Sequence, residues 1–167
     1  MSLTGRHYFT VVGGPYMDRP NTYVGVKMAE EVNRPCDVDI PTRDYDVPPM
    51  DKLDAGLEQA VVYLLAGEPL YVGCMGGKGR TGLFLAVLAK VLGVVNPVEY
   101  VRAEYYSHAV ETEPQYKYVT EYEAPASVTK AIRRARLMAT WGFWTKRFWT
   151  SGKLTREPAG LPTKVIF

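Results

Sequence analysis

The sequence predicts an α/β protein with a central, mostly parallel sheet flanked by helices, and three observations carry that prediction. Short apolar stretches with strand character alternate with helical segments through residues 1–92. A strand, a glycine-rich turn and a helix apolar on nearly every side follow one another between Leu70 and Leu92. After that only helices are predicted, so strands come early and helices accumulate late, which suits a parallel sheet with crossover helices. The chain of 167 residues is of one-domain size, enough to bury roughly 70% of the surface its unfolded form exposes. Its 47% apolar and 23% charged residues exclude a disordered or fibrous chain.

In order along the chain, His7 to Val12 reads as a first strand stopped by Gly13-Gly14-Pro15, and Tyr23 to Val32 as a short helix ending near Pro35. Asp37 to Ile40 reads as a strand feeding the loop 41–49, whose prolines and aspartates suit turns. Loops of this kind carry catalytic side chains more often than regular elements do. Leu53, Leu57, Ala60, Val61, Leu64 and Leu65 recur at helical spacing until Gly67, which predicts an amphipathic helix from Met50 to Ala66. Leu70 to Gly73 is a short buried strand, and Thr81 to Leu92 a helix in the middle of the fold, ended by Gly93. Asn96 followed by Pro97 and Glu99 supplies an N-cap, a first-turn proline and an early acid, while Thr112 and Gln115 match a capping box. Two further helices start there.

The segment that carries chemistry is Leu70-Tyr-Val-Gly-Cys74-Met75-Gly76-Gly77-Lys78-Gly79-Arg80-Thr81-Gly82. Glycines let successive backbone N–H groups turn inward as a nest, and the helix N-terminus adds partial positive charge, so the segment is an anion cradle. A nucleotide-binding Walker loop does not fit: counting back from Gly79 gives Cys74 where glycine is required, and Arg80 stands where lysine should. A cysteine, five residues and an arginine followed by a hydroxyl residue is a different device. A free thiol is only a few per cent thiolate at neutral pH, and a helix N-terminus with a nearby arginine raises that fraction. The planar fork of an arginine holds two phosphate oxygens better than lysine does.

Through C-x5-R-[ST], Cys74 to Arg80 and Thr81, the chain resembles the protein tyrosine and dual-specificity phosphatase superfamily. The longer form Cys74 to Gly82 is similar to its dual-specificity and phosphoinositide-phosphatase branch. The resemblance implies a phosphatase-like three-layer α/β/α fold and a two-step displacement that uses no metal and no cofactor. Cys74 would be the nucleophile, Arg80 the phosphate clamp, Met75, Gly76, Gly77, Lys78 and Gly79 the rest of the phosphate-binding loop, and Thr81 the hydroxyl that stabilises the departing thiolate. Gly73 stands where the family usually has histidine.

A leaving alkoxide needs a proton, and a positioned carboxylic acid is worth perhaps 10²–10⁴ in rate. Thr42-Arg43-Asp44-Tyr45-Asp46-Val47-Pro48 resembles the family's acid loop, with Asp44 at the acid position and Asp46 as the alternative. Both aspartates also have the simpler role of capping the turn before the 50–66 helix. Gln115 is a water-positioning residue by resemblance and a capping residue by pattern. Lys78 would add charge for polyphosphorylated or lipid head groups, or is a solvated loop lysine. His7, His108 and Cys36 are read as structural, Cys36 with the further option of a protective disulfide to Cys74 under oxidation.

The net charge of +2 hides an asymmetry: residues 1–124 carry 11 basic and 17 acidic side chains, a net of −6, and residues 125–167 carry 9 and 1, a net of +8. We therefore expect a phosphatase domain over 1–124 and a basic, tryptophan-rich extension over 125–167, helical from about 127 to 149 and irregular beyond. Leu137, Trp141, Trp144 and Phe148 form an apolar stripe among Lys130, Arg133, Arg134, Arg136, Lys146 and Arg147. That stripe fits an anionic membrane surface, a nucleic acid, or docking on the acidic body. Two cysteines and no apolar leader predict a cytoplasmic location. The expected function is hydrolysis of a phosphoester, on a phosphoprotein, a phosphoinositide or another substrate. The alternatives are a phosphate-binding module without turnover and a nucleic-acid- or membrane-binding protein acting through its tail.

Overall fold

The computed structural model describes residues 9–140 and 164–166. Five strands form one sheet: β1 (Thr10–Pro15), β2 (Val24–Ala29), β3 (Val38–Thr42), β4 (Leu70–Cys74) and β5 (Lys164–Ile166). Their spatial order is β3-β2-β4-β1-β5, with the first four mutually parallel and β5 antiparallel on the β1 edge. The helices are α1 (Met50–Leu65), α2 (Gly79–Val91), α3 (Pro97–Glu104), α4 (Glu113–Glu121) and α5 (Ala126–Thr140). A mostly parallel sheet flanked by helices is the arrangement of a phosphatase-like three-layer α/β/α fold, as the sequence predicts. No helix among the described residues is long and apolar enough to cross a membrane.

The core explains why β4 and α2 read as apolar throughout. All five residues of β4 are buried between β1 and β2, and α2 buries every residue from Gly79 to Ala89 between the sheet and helices α3 and α4. α1 and α4 also occur where their patterns place them. At the start of α4 the Thr112 hydroxyl accepts from the Gln115 N–H, and the Gln115 side chain accepts in return from the Thr112 N–H.

Two expectations are corrected. Tyr23 to Val32 is not a helix: its central part is β2, hydrogen-bonded on both sides by β3 and β4. The reason lies in the alternation Val24, Val26, Met28 and in Gly25 and the two valines, which disfavour a helix and suit a buried strand. The first strand does not stop at Gly13-Gly14-Pro15 either. These residues continue β1, with Gly14 beside Gly73 and Pro15 beside Cys74. His7 lies outside the described residues, and His108 is exposed against the edge of the Tyr106 ring.

The basic extension meets the body at both ends. Val128 and Ile132 of α5 are buried, Ser127 hydrogen-bonds Glu58 of α1, and Arg136 donates to the Leu92 carbonyl. Lys130, Arg133 and Arg134 face solvent, as does Leu137. Trp141, Trp144, Lys146, Arg147 and Phe148 lie outside the described residues. The stretch expected to be irregular contains β5.

Candidate active site

In an open parallel sheet the carboxyl ends of the strands gather loops around a crevice. Here those ends deliver Glu31 after β2, Asp44 and Tyr45 after β3, and the glycine loop 75–78 between β4 and α2. A cleft of about 280 Å³ opens there, lined by Asp44, Tyr45, Cys74, Met75, Gly76, Lys78, Gly79, Arg80 and Glu111. The geometry thus brings Cys74, Arg80, Asp44 and most of the loop together. Thr81 lies one residue beyond Arg80 in the buried first turn of α2, whose N–H groups have no partners within the helix.

Local folding explains both the loop and its departure from the family pattern. A Cβ at Gly73 would lie 2.7 Å from the Tyr16 Cα and 2.8 Å from the Gly14 carbonyl oxygen, so no histidine fits there. The short helical turn Tyr16–Asp18 occupies that space. Gly77 has φ +66°, and a Cβ there would lie 2.3 Å from the Gly14 carbonyl carbon, so both backbone conformation and space require glycine.

Arg80 is only 3% exposed and heavily partnered. Its Nη1 donates to Glu31 Oε2 at 2.8 Å and to the Thr42 carbonyl at 2.9 Å, and Nη2 donates to Glu31 Oε1 at 2.7 Å. Asp44 Oδ1 stands 3.1 Å from Nη2. Burial works most strongly against the charge of Arg80, but Glu31, Cys74 and Asp44 together outweigh it and raise its pKa; the same hydrogen bonds pull the Glu31 carboxyl below its ordinary range. Three of the five guanidinium N–H groups are spent on protein acceptors, which leaves Nε–H and one Nη2–H for an anion. Asp44 faces the second of these.

Asp46 is not among the residues that line the cleft. Its Oδ1 accepts from the Val47 N–H at 2.8 Å, and its carbonyl accepts from Gln115 Nε2 at 3.2 Å. Gln115 is fully buried in the capping box and braces the loop of Asp44 and Asp46 instead of facing the cleft. Lys78 lines the cleft with its ammonium 5.5 Å from the centre of the Tyr106 ring. The Thr81 hydroxyl is buried and has no hydrogen-bond partner among the described residues. Cys36 is half-buried, and both cysteines are free.

Three participants escape a reading of the sequence. Glu31, in the turn after β2, was hidden by the helix expected there. Glu111 lines the cleft from the loop before α4; its only local signal is its position next to the capping-box Thr112. Tyr105 donates its hydroxyl to the Gly77 carbonyl, a contact no spacing announces. Tyr45 and Val110 are the non-glycine residues with positive φ among those described, both at +59°, and each adjoins a cleft carboxylate, Asp44 or Glu111. Such backbone costs about 1–3 kcal/mol and persists where the surroundings over-determine it. Around Val110 they do, for Arg102 donates to the carbonyls of Ala109 and Val110, both at 3.0 Å.

Residues 23–136, more than half of the chain, match the family model described as PTP-SAK, the Swiss Army Knife protein, DSP-PTPase phosphatase domain. Two uncharacterized proteins of Methanocaldococcus jannaschii are similar, 42% and 41% identical over 83 residues, or 50% of this chain. The matched stretch covers 56% and 52% of those proteins, so the chain spans about half the length of the curated relatives it matches.

Proposed function

Because the chain belongs to the Swiss Army Knife family of DSP-PTPase phosphatase domains, we propose that it hydrolyses phosphomonoesters through a covalent phosphocysteine formed on Cys74. The observation that carries this reading is the meeting of Cys74, Arg80 and Asp44 in one cleft at the carboxyl end of the parallel strands. The thiolate of Cys74 attacks phosphorus while the bond to the leaving oxygen breaks, and Asp44 gives its proton to that oxygen. Water then attacks phosphorus, Asp44 takes its proton, and the sulfur–phosphorus bond breaks to return the thiolate. Loop N–H groups and Arg80 hold the equatorial oxygens, whose charge is stabilised best in the transition state. Thr81 donates to the departing thiolate, which would give its unpartnered hydroxyl a use.

Asp44 is favoured over Asp46 because it lines the cleft, whereas Asp46 caps its own loop. In this arrangement Asp44 occupies the side of Arg80 that a phosphate oxygen needs, so substrate binding displaces Asp44 from Nη2 and frees it for the leaving group. That same contact supports the second reading, a phosphate-binding module in which Asp44 stays on Arg80 and no turnover follows.

Hydrolysis of an aryl phosphate from pH 5 to 8, in the presence of a chelator, separates the two. The expected result is turnover in the wild type, none in Cys74→Ser, and a fall of about 10²-fold or more in Asp44→Asn. Glu111→Gln serves as the control carboxylate in the same cleft. Phosphate affinity without turnover in the wild type would replace the enzyme reading with the binding-module reading.

A further inference from the structure

Tyr105 follows α3 and reaches the far side of the phosphate loop. Its hydroxyl donates to the Gly77 carbonyl, and its ring lies against β1 where a Cβ at Gly13 would fall 2.5 Å from a ring carbon. Gly76, Lys78 and Gly79 line the cleft, whereas neither Gly77 nor Tyr105 does. The Gly77–Lys78 peptide is trans, so its C=O and N–H lie in one plane and point in opposite directions. A carbonyl held by Tyr105 therefore turns the Lys78 N–H the other way.

We propose that Tyr105 is a positioning residue for the phosphate loop: by holding the Gly77 carbonyl outward it presents the Lys78 N–H to a bound phosphate. The inference rests on the reading of this loop as a phosphate cradle. Two effects act together. Gly77, at φ +66°, has little of its own to stop the peptide flipping, and a flipped carbonyl would offer an oxygen to an anion. Donation to the carbonyl also polarises the peptide and strengthens its N–H as a donor, as in other hydrogen-bonded chains of low local dielectric. Burial, and then the nearby Cys74, hold the Tyr105 hydroxyl protonated well above the ordinary tyrosine range, so the donor persists at any working pH.

The test is calorimetric titration of the full chain with inorganic phosphate, comparing wild type with Tyr105→Phe, which keeps the ring against Gly13. The expected result is a dissociation constant weakened roughly 3- to 10-fold, the value of one net hydrogen bond, with an unchanged circular dichroism spectrum. An unchanged dissociation constant in a folded Tyr105→Phe overturns the proposal. No phosphate binding by the wild type would overturn the cradle reading itself, and this inference with it. The wild type gives a second check that does not depend on the variant folding: in its proton–nitrogen spectrum the Lys78 backbone amide must shift as phosphate is added, and an amide that stays in place sinks the proposal.

Discussion

Thr81 and Glu31 test opposite sides of the same site. A buried hydroxyl without a partner costs about 1–3 kcal/mol, so Thr81→Val, nearly isosteric, should raise stability by about 1 kcal/mol. If the hydroxyl serves the departing thiolate, turnover should fall in that same variant. Urea denaturation and aryl phosphate kinetics on one preparation read both signs. For Glu31 the argument is electrostatic. Its folded-state pKa is depressed by Arg80, so the pair's contribution is complete above the carboxyl's ordinary value of 4.5 and is lost as pH falls through the lower folded value. Glu31→Gln leaves a buried guanidinium with a neutral partner. Because the Glu31 side chain is 37% exposed, the expected loss at pH 7 is about 1–2 kcal/mol, well under that of a fully buried pair. The gap between wild type and variant in urea midpoints should hold above pH 5 and narrow as the pH is lowered from there. A gap that does not change with pH would show that the variant acts through packing.

Elements were legible where their signals are local. The capping box at Thr112 and Gln115 forms as the sequence predicts, and Thr112→Ala should cost about 1 kcal/mol. Its effect should extend further than a cap alone, since the Thr112 hydroxyl also approaches the Tyr45 carbonyl and Gln115 holds that of Asp46. Faster amide exchange in residues 44–47 of Thr112→Ala would report that coupling; exchange changes confined to α4 would deny it. The glycine loop, the buried helix behind it and the proline- and aspartate-rich loop after β3 were equally readable as elements, because each is a run of adjacent residues with its own stereochemical demand. β2 was not, since its helix-like length concealed an alternation that only pairing with β3 and β4 makes decisive. With β2 misread, Glu31 went unseen as the partner of Arg80, 49 residues away. Tyr105 was hidden for the same reason: its meaning lies in a contact across 28 residues.

At the scale of the whole molecule, the division into an acidic body and a basic extension describes charge better than it describes packing. β5 pairs along Thr10 to Val12 and covers an edge of β1 that would otherwise offer unpaired backbone groups, and α5 lays Val128 and Ile132 on the body. The described parts of this extension, α5 and β5, therefore contribute to the stability of the fold that holds the cleft, yet among the described residues none that lines the cleft comes from them. Ile132 is 6% exposed, and Ile132→Ala should cost about 2 kcal/mol, at the low end for a buried isoleucine near the surface. In a chain of this size that corresponds to a fall of roughly 4–8 °C in the melting temperature. The Michaelis constant for an aryl phosphate, measured well below the melting transition, should stay unchanged, because α5 acts on the population of the folded state and not on the cleft. A variant that melts normally but binds the aryl phosphate more weakly would mean instead that α5 reaches the active site, through α1 or through the contact of Arg136 with the end of α2.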